Sequence, residues 1–238
     1  MPTSNGLYLL ANYSWSKNIS DADISIAPFA STVRDQYNRS LDKVVSSNWV
    51  PHVANIAFTY ALPVGPGRAF LNTGLLSRVA GGWQVTGILT YSTGDLIGIG
   101  VSNELPLFAG PQTPDSVAGQ PLGIQKGPIV IAANGSAGTK YLNINAFAEP
   151  APGTFGTSSA RIPNMFGPTH LNENVSLQKS FAIVERLNFI LRFEAFNIFN
   201  RVLPGGLNTD ITNPAAFGTF NGQENGPRTA QITAKVTF

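Results

Sequence analysis

The chain has 238 residues, of which only 12% are charged, and its formal net charge is +2. The charged share is about half that of ordinary soluble domains, and so small a net charge without a Lys/Arg cluster argues against a nucleic-acid partner. No run approaches the roughly 18 apolar residues of a membrane-spanning helix, and the absence of cysteine excludes disulfides and thiolate metal sites.

Six segments alternate apolar and polar residues with a period of two. Such alternation places successive side chains on opposite faces of a β-strand. The predicted strands are, in chain order, Leu7–Ser16, His52–Leu62, Trp83–Thr93, Leu171–Phe181, Leu187–Phe199 and Arg228–Phe238. In the fifth segment, Gly/Pro flanks and aromatic richness favour a strand over a helix.

The five connections between these strands alternate in length. The first, third and fifth connections have about 35, 77 and 27 residues, whereas the second and fourth have about 20 and five. Outer-membrane barrels combine long extracellular loops with short periplasmic turns, whereas soluble sandwiches rarely alternate so regularly. We therefore predict an all-β antiparallel meander of about six transmembrane strands with long extracellular loops, located in the bacterial outer membrane.

The apolar faces of these strands carry aromatic residues at both ends and aliphatic residues between them. Two aromatic belts around an aliphatic band match the two interfaces of a bilayer. The predicted belt residues are Tyr13, Trp15, Tyr91 and Phe199 at the extracellular ends and Tyr60, Trp83, Phe181 and Phe238 at the periplasmic ends. Glu173 and Lys179 interrupt this face near strand ends, where a charge costs about 0–1 kcal/mol and a lysine can snorkel.

The opposite face of the fifth strand carries Asn188, Arg192 and Glu194, which we predict to face the barrel lumen. Charges at such positions are usually structural ion pairs, and contact with a plug or substrate is the less frequent alternative. The third connection, residues 94–170, is the predicted place for ligand contact because loops of this length are usually functional or disordered. Its Gly/Pro-rich sequence does not indicate which ligand would bind.

Residue types for catalysis or metal binding are sparse. His52 and His170 are the only histidines, both at strand–loop boundaries, and no cluster of further metal ligands is evident around either. No G-x-S-x-G turn of a serine hydrolase is present. Four aspartates of the first connection lack the spacing of a calcium loop: Asp21, Asp23, Asp35 and Asp42. We therefore predict no enzymatic activity, no cofactor and no metal site.

A series of short motifs runs in a definite order through residues 82–238. They are Gly82-Trp83-Gln84, Gly87-Ile88, Arg161-Ile162-Pro163-Asn164, Gly167-Pro168, Asn174-Val175-Ser176-Leu177, Lys179-Ser180-Phe181, LRFEAFNIFN from Leu191, NPAAFG from Asn213, Pro227-Arg228 and Phe238. Together they resemble the C-terminal end of a TonB-dependent outer-membrane receptor of the Oar-like group, whereas residues 1–81 match more loosely. The resemblance implies part of a barrel of the 22-strand type around a plug, which imports a bulky nutrient and is energised through a TonB box.

The chain departs from this resemblance in having room for about six strands, and no signal peptide, plug or TonB box is recognised in it. Six spanning strands alone leave two unpaired edges in lipid, where each unsatisfied backbone group costs several kcal/mol. We therefore expect residues 1–238 to be a partial C-terminal barrel segment, a fragment not competent for transport alone. The expected partners are outer-membrane lipid, the remainder of the barrel and plug, TonB through that remainder, and the barrel-assembly machinery.

The resemblance also implies that the last strand is recognised by the barrel-assembly machinery. The apolar residues of this predicted signal are Ala230, Ile232, Ala234, Val236 and Phe238. An alternative of a different class is a soluble or surface-exposed β-sandwich that acts as a binding or adhesion module. A sandwich buries its apolar faces and has no reason to gather aromatic residues at both strand ends.

Overall fold

The computed structural model describes residues 6–21, 34–35, 37–101, 112–132, 138–184 and 187–238. The strands are β1 Leu7–Trp15, β2 Ile19–Ser20, β3 Val44–Val45, β4 His52–Ala61, β5 Trp83–Ser92, β6 Asp115–Ser116, β7 Phe147–Ala148, β8 His170–Val184, β9 Leu187–Phe196, β10 Pro204–Leu207, β11 Phe220–Gln223 and β12 Thr229–Thr237. Six of them form one antiparallel sheet in the order β1-β4-β5-β8-β9-β12. Each long strand pairs with the next long strand along the chain, which confirms the predicted meander.

The remaining elements lie in the connections. Three two-stranded ladders pair β2 with β3, β6 with β7, and β10 with β11. One α-helix, α1 (Gly74–Ala80), lies in the second connection. None of these elements is predicted by the sequence pattern, because short elements depend on tertiary contacts more than on periodicity. Across the described ranges, the structure contains no helix with the length and apolarity needed to cross a membrane.

Most strand ends fall within one residue of the prediction, but β8 and β9 differ. β8 continues to Val184, and β9 ends at Phe196. Phe199 was predicted to end this strand, and that is wrong because the chain turns at Asn197, which has φ 51°. The Asn197 side chain accepts a hydrogen bond from the Arg201 N–H (2.8 Å) and donates one to the Arg201 carbonyl (2.9 Å). Phe199 therefore lies in a turn, where it is 66% exposed.

The strand register brings the apolar faces of the six strands to the same side of the sheet. Leu177 of β8 lies between Val85 of β5 and Phe193 of β9, and Phe193 lies opposite Ile232 of β12. Because side chains alternate with a period of two, one row of side chains that lie opposite each other determines which face each remaining residue of these strands occupies. The sheet therefore has one apolar and one predominantly polar side.

The sheet is open, with β1 at one edge and β12 at the other. A β-sandwich needs a second sheet of similar size packed against the first. In the described part of the chain, the other sheets have two strands each. The arrangement therefore favours a segment of barrel wall over the sandwich alternative.

The buried hydrophobic core lies outside the sheet, in the third and fifth connections. Its members are Ile97, Ile99, Leu142, Ala146, Phe147, Ile162, Ile211 and Phe217. Backbone hydrogen bonds join the two connections, from Gly100 N to Thr209 O (2.9 Å) and from Tyr141 N to Gly218 O (2.7 Å). We call the described residues of these connections, 93–101, 112–132, 138–169 and 197–228, the loop cap. The third connection is thus folded through much of its length.

Candidate functional site

The apolar side of the sheet is largely uncovered by protein. Leu9 is 59% exposed and Ile232 is 70% exposed, although both lie within regular strands. Burial of apolar surface is the main favourable term in folding, and large exposed apolar patches mark contact with a membrane or another protein. This side of the sheet therefore has the chemistry of a contact surface.

The polar side carries a hydrogen-bonded ion pair on β9. Arg192 Nη1 lies 3.5 Å from Glu194 Oε1, and Arg192 Nε donates to Gln178 Oε1 at 3.1 Å. Gln231 of β12 donates to Glu194 Oε2 at 2.7 Å. Asn188 belongs to the same face because it is separated from Arg192 by an even number of positions. The two charges thus form a structural ion pair within β9 whose hydrogen bonds reach β8 and β12, and their position in a barrel lumen stays a prediction.

The predicted belt residues that belong to strands lie on the apolar side, each within three residues of a strand end. Tyr13, Trp15 and Tyr91 lie at the end of the sheet that leads into the long connections, and Tyr60, Trp83 and Phe181 lie toward the other end. Phe238 follows β12 and is fully exposed. The Tyr13 hydroxyl also lies 2.7 Å from His52 Nδ1. Contact of these rings with bilayer interfaces stays a prediction.

Lys179, which interrupts the apolar side, is buried beneath the second connection. Its Nζ donates to the carbonyl oxygens of Arg78 and Val79, each at 2.6 Å, in the last turn of α1. The ammonium group also lies 5.8 Å from the Trp83 ring centroid and 4.8 Å from that of Phe181. Carbonyls at a helix C-terminus lack partners within the helix, and a lysine can satisfy them. Lys179 therefore holds α1 against the sheet, whereas the sequence suggested only a snorkelling side chain.

Glu173, the other charge on the apolar side, is completely buried and paired. Arg201 Nε lies 2.9 Å from both carboxylate oxygens of Glu173, and the Arg201 guanidinium lies 5.3 Å from the Phe199 ring centroid. The hydrogen bonds with Glu173 raise the pKa of Arg201 above its ordinary value. An unpaired buried carboxylate would be costly. The turn after β9 therefore supplies the countercharge that the sequence-based estimate of a small cost had omitted.

Two aspartates of the first connection form ion pairs, whereas Asp35 Oδ1 accepts a hydrogen bond from Tyr37 N at 2.8 Å. Asp21 Oδ2 lies 3.5 Å from Arg39 Nη2, and Asp42 Oδ1 lies 3.6 Å from Arg34 Nε. Burial lowers the pKa of Arg34, and the neighbouring Asp42 carboxylate opposes that shift. Asp23 lies outside the described residues.

Asp95, His170 and Glu224 come together where the sheet meets the loop cap. One potential ligand atom from each of the three lies within 4.8 Å of the others. His170 is half-buried at the start of β8, whereas Asp95 after β5 and Glu224 after β11 are exposed. The prediction that neither histidine has further metal ligands nearby is therefore wrong for His170. The three residues lie far apart in the sequence and form no motif, so no sequence signal could have grouped them.

A family model of known proteins matches most of the chain. Residues 2–231 match a family model described as outer membrane beta barrel domain. No curated protein and no solved structure gives a significant match. The family match covers the loop cap, the first five long strands and the first residues of β12.

Proposed function

Because the chain belongs to the outer membrane beta barrel domain family and therefore lies in the bacterial outer membrane, we propose that it forms the C-terminal barrel wall of a TonB-dependent receptor. The observation that carries the proposal is the register, which gathers six apolar strand faces on one exposed side and the Arg192–Glu194 pair on the other. The ordered motifs of residues 82–238 support the receptor class and the import of a bulky nutrient. The complete receptor transports, and this segment contributes part of its wall without enzymatic chemistry.

The two sides of the sheet have different roles in this proposal. The apolar side contacts lipid, since outer-membrane barrels present an apolar band outward and a polar interior. The polar side lines the lumen, where Asn188, Arg192 and Glu194 are available to a plug. A depression of about 330 Å³ on this side is lined in part by Thr86, Gln178, Arg192 and Glu194, and it offers hydrogen-bonding groups to such a plug.

The two edges of the sheet require further structure. In the described part of the chain, β1 and β12 each pair with another strand on one side only, and unpaired backbone groups cost several kcal/mol apiece in hydrocarbon. The wall is therefore continued by additional strands, and six strands alone do not transport. Together with a plug and its TonB contact, those strands are the partners that complete the receptor.

A photo-crosslinking amino acid at adjacent positions of β12 tests the proposal in cells. Gln231 lies on the polar side and Ile232 on the apolar side. We expect the probe at Gln231 to label a plug segment, identified by mass spectrometry, with a yield that depends on TonB. The probe at Ile232 should label lipid. Identical products at both positions would contradict the assignment of faces, and a Gln231 probe that labels no plug would contradict the receptor class while leaving the barrel family intact.

Phe238→Ser is expected to lower the amount of protein in the outer membrane more than Phe238→Tyr. β12 is an edge strand whose backbone groups can pair with another strand, and its apolar alternation sets the register of that pairing. Phe238 continues the apolar row of Val236, and tyrosine retains the aromatic ring. Quantitative immunoblots of outer-membrane fractions measure the effect. Equal levels for Phe238→Ser and wild type would show that this residue contributes nothing to assembly.

A further inference from the structure

We propose that Asp95, His170 and Glu224 form a binding site for a divalent transition-metal ion of the Zn²⁺ class. Each residue offers one ligand atom, and these atoms lie within 4.8 Å of one another. Zinc binds imidazole nitrogen and carboxylate oxygen at about 2.0–2.2 Å, so two ligand atoms in tetrahedral coordination lie about 3.3–3.6 Å apart. Small rotations of the exposed carboxylates bring the group within this range, and a fourth position stays open.

The backbone holds the three ligands on separate segments in a fixed relation. The Asp95 carbonyl accepts a hydrogen bond from Gly167 N at 2.8 Å, which ties the start of the third connection to the residues just before His170. Glu224 N donates to Leu203 O at 2.9 Å. A Cβ atom added at Gly205 would lie 3.0 Å from Glu224 Cβ, so glycine permits this close approach. The site is therefore assembled by the fold before any ion binds.

In the part of the chain that the structure describes, the side chains of Asp95, His170 and Glu224 lack the charged partners that several acidic residues of this protein have. Glu173 and Glu194 each pair with an arginine. Within the described ranges, by contrast, the side chains of Asp95, His170 and Glu224 have no hydrogen bond or ion pair with another residue. Two carboxylates that the backbone brings together without a countercharge repel each other, and a bound cation offsets this repulsion.

The donor set determines which class of ion fits. Calcium and magnesium prefer sites made of oxygen ligands, whereas an imidazole nitrogen combined with carboxylates suits zinc, manganese or iron. The three residues line one cavity of about 270 Å³ together with Pro168, Thr209 and other residues of the loop cap. This space admits water or a donor group of a substrate as the fourth ligand.

A bound ion would connect the two long connections. Asp95 lies near the start of the third connection, His170 is the first residue of β8 directly after that connection, and Glu224 belongs to the fifth connection. The ion would therefore fasten the loop cap to the end of the sheet, and it would reinforce the link that the backbone hydrogen bonds of Gly100 with Thr209 and Ile211 make between the two connections. Metal binding should accordingly slow proteolysis within the cap.

Titration of the intact protein with Zn²⁺ tests the proposal. The protein is purified in detergent through a tag without histidine and treated with a chelator, and calorimetry then measures binding. We expect one Zn²⁺ per chain. Removal of a residue that hydrogen-bonds to a metal ligand lowers metal affinity by roughly 10–100-fold. His170→Ala removes a ligand itself and should lower the affinity for Zn²⁺ by more than this. Zn²⁺ should protect the cap of the wild-type protein, but not of the His170→Ala variant, from protease.

His52→Ala is the matched control, because His52 is the other histidine of the chain and its ring contacts Tyr13. It should bind Zn²⁺ as the wild type does. Glu224→Gln provides a second variant that keeps the size of the side chain, and it too should bind weakly. Absence of Zn²⁺ binding by the wild type, equal affinities of wild type and His170→Ala, or preference for Ca²⁺ over Zn²⁺ would each overturn the proposal.

Discussion

Leu177→Arg is expected to destabilise the protein in a bilayer by about 2–4 kcal/mol, the cost of an arginine near the midplane on the lipid side of a barrel. Leu177 lies at the middle of β8, on the apolar side, between Val85 and Phe193. The arginine guanidinium must move there from water into hydrocarbon. The residues opposite it, Val85 and Phe193, offer no carboxylate. Denaturant unfolding from lipid vesicles, followed by tryptophan fluorescence, measures the change in the free energy of unfolding.

Ser176→Arg is the matched control on the same strand. Ser176 belongs to the polar side and lies opposite Glu194 of β9, so an arginine there has both water and a carboxylate within reach. Its effect should fall well below that of Leu177→Arg. Equal losses for the two variants would contradict the assignment of lipid and lumen sides.

The same contrast applies to other strands. Arginine should be similarly costly at the other apolar mid-strand positions Leu9, Ile56, Leu89, Leu191 and Ala234. It should be better tolerated at Asn55 and Thr90, which share a row on the polar side.

The sheet could be predicted from the sequence because its determinants are local. Each long strand carries its own alternation, and the row of Leu177, Phe193 and Ile232 shows that the independent alternations agree once the strands pair. A register slip of one residue would turn a whole strand face from one side to the other. Alternation therefore predicts strand identity and excludes register slips of an odd number of residues, even though it does not predict which additional strands complete the wall.

The turn after β9 was not predicted, although the sequence contains a local signal for it. Asn197 and Asn200 both have a φ of 51°, and asparagine is one of the few residues that enter this region readily. Two asparagines flanking Ile198 and Phe199 could have indicated a turn. The apolar residues between them instead extended the predicted strand to Phe199.

Other features could not be predicted because they depend on contacts between distant residues. The cost of burying Glu173 is offset by Arg201, which reaches it from the next turn, and Lys179 finds its partners in α1. The loop cap likewise has no periodic pattern. Its residues are scattered through two connections, and only the folded chain shows that they share a core.

Phe217→Ala is expected to destabilise the loop cap by about 3–5 kcal/mol, the usual range for removing a buried phenylalanine. Phe217 is 1% exposed and packs edge-to-face with Phe147, with ring centroids 6.2 Å apart. It therefore joins the fifth connection to the third. Next to it, Gly218 has φ 75°, and a Cβ there would lie 2.8 Å from the Leu142 carbonyl oxygen, so the two backbones leave little room to close over a cavity.

Hydrogen exchange measured by mass spectrometry separates this local effect from a global one. Exchange in the Phe217→Ala variant should accelerate at the amides of Gly100 and Ile211, which bond across the two connections, because loss of the ring lowers the free energy of opening the cap. The strands β4 and β5 should keep their protection, since they contribute no residue to this core. Phe199→Ala, an exposed phenylalanine of the same connection, should leave the protection of the cap core unchanged. If both variants accelerate exchange equally, or if Phe217→Ala leaves the cap as protected as in wild type, the cap is not held together by this core.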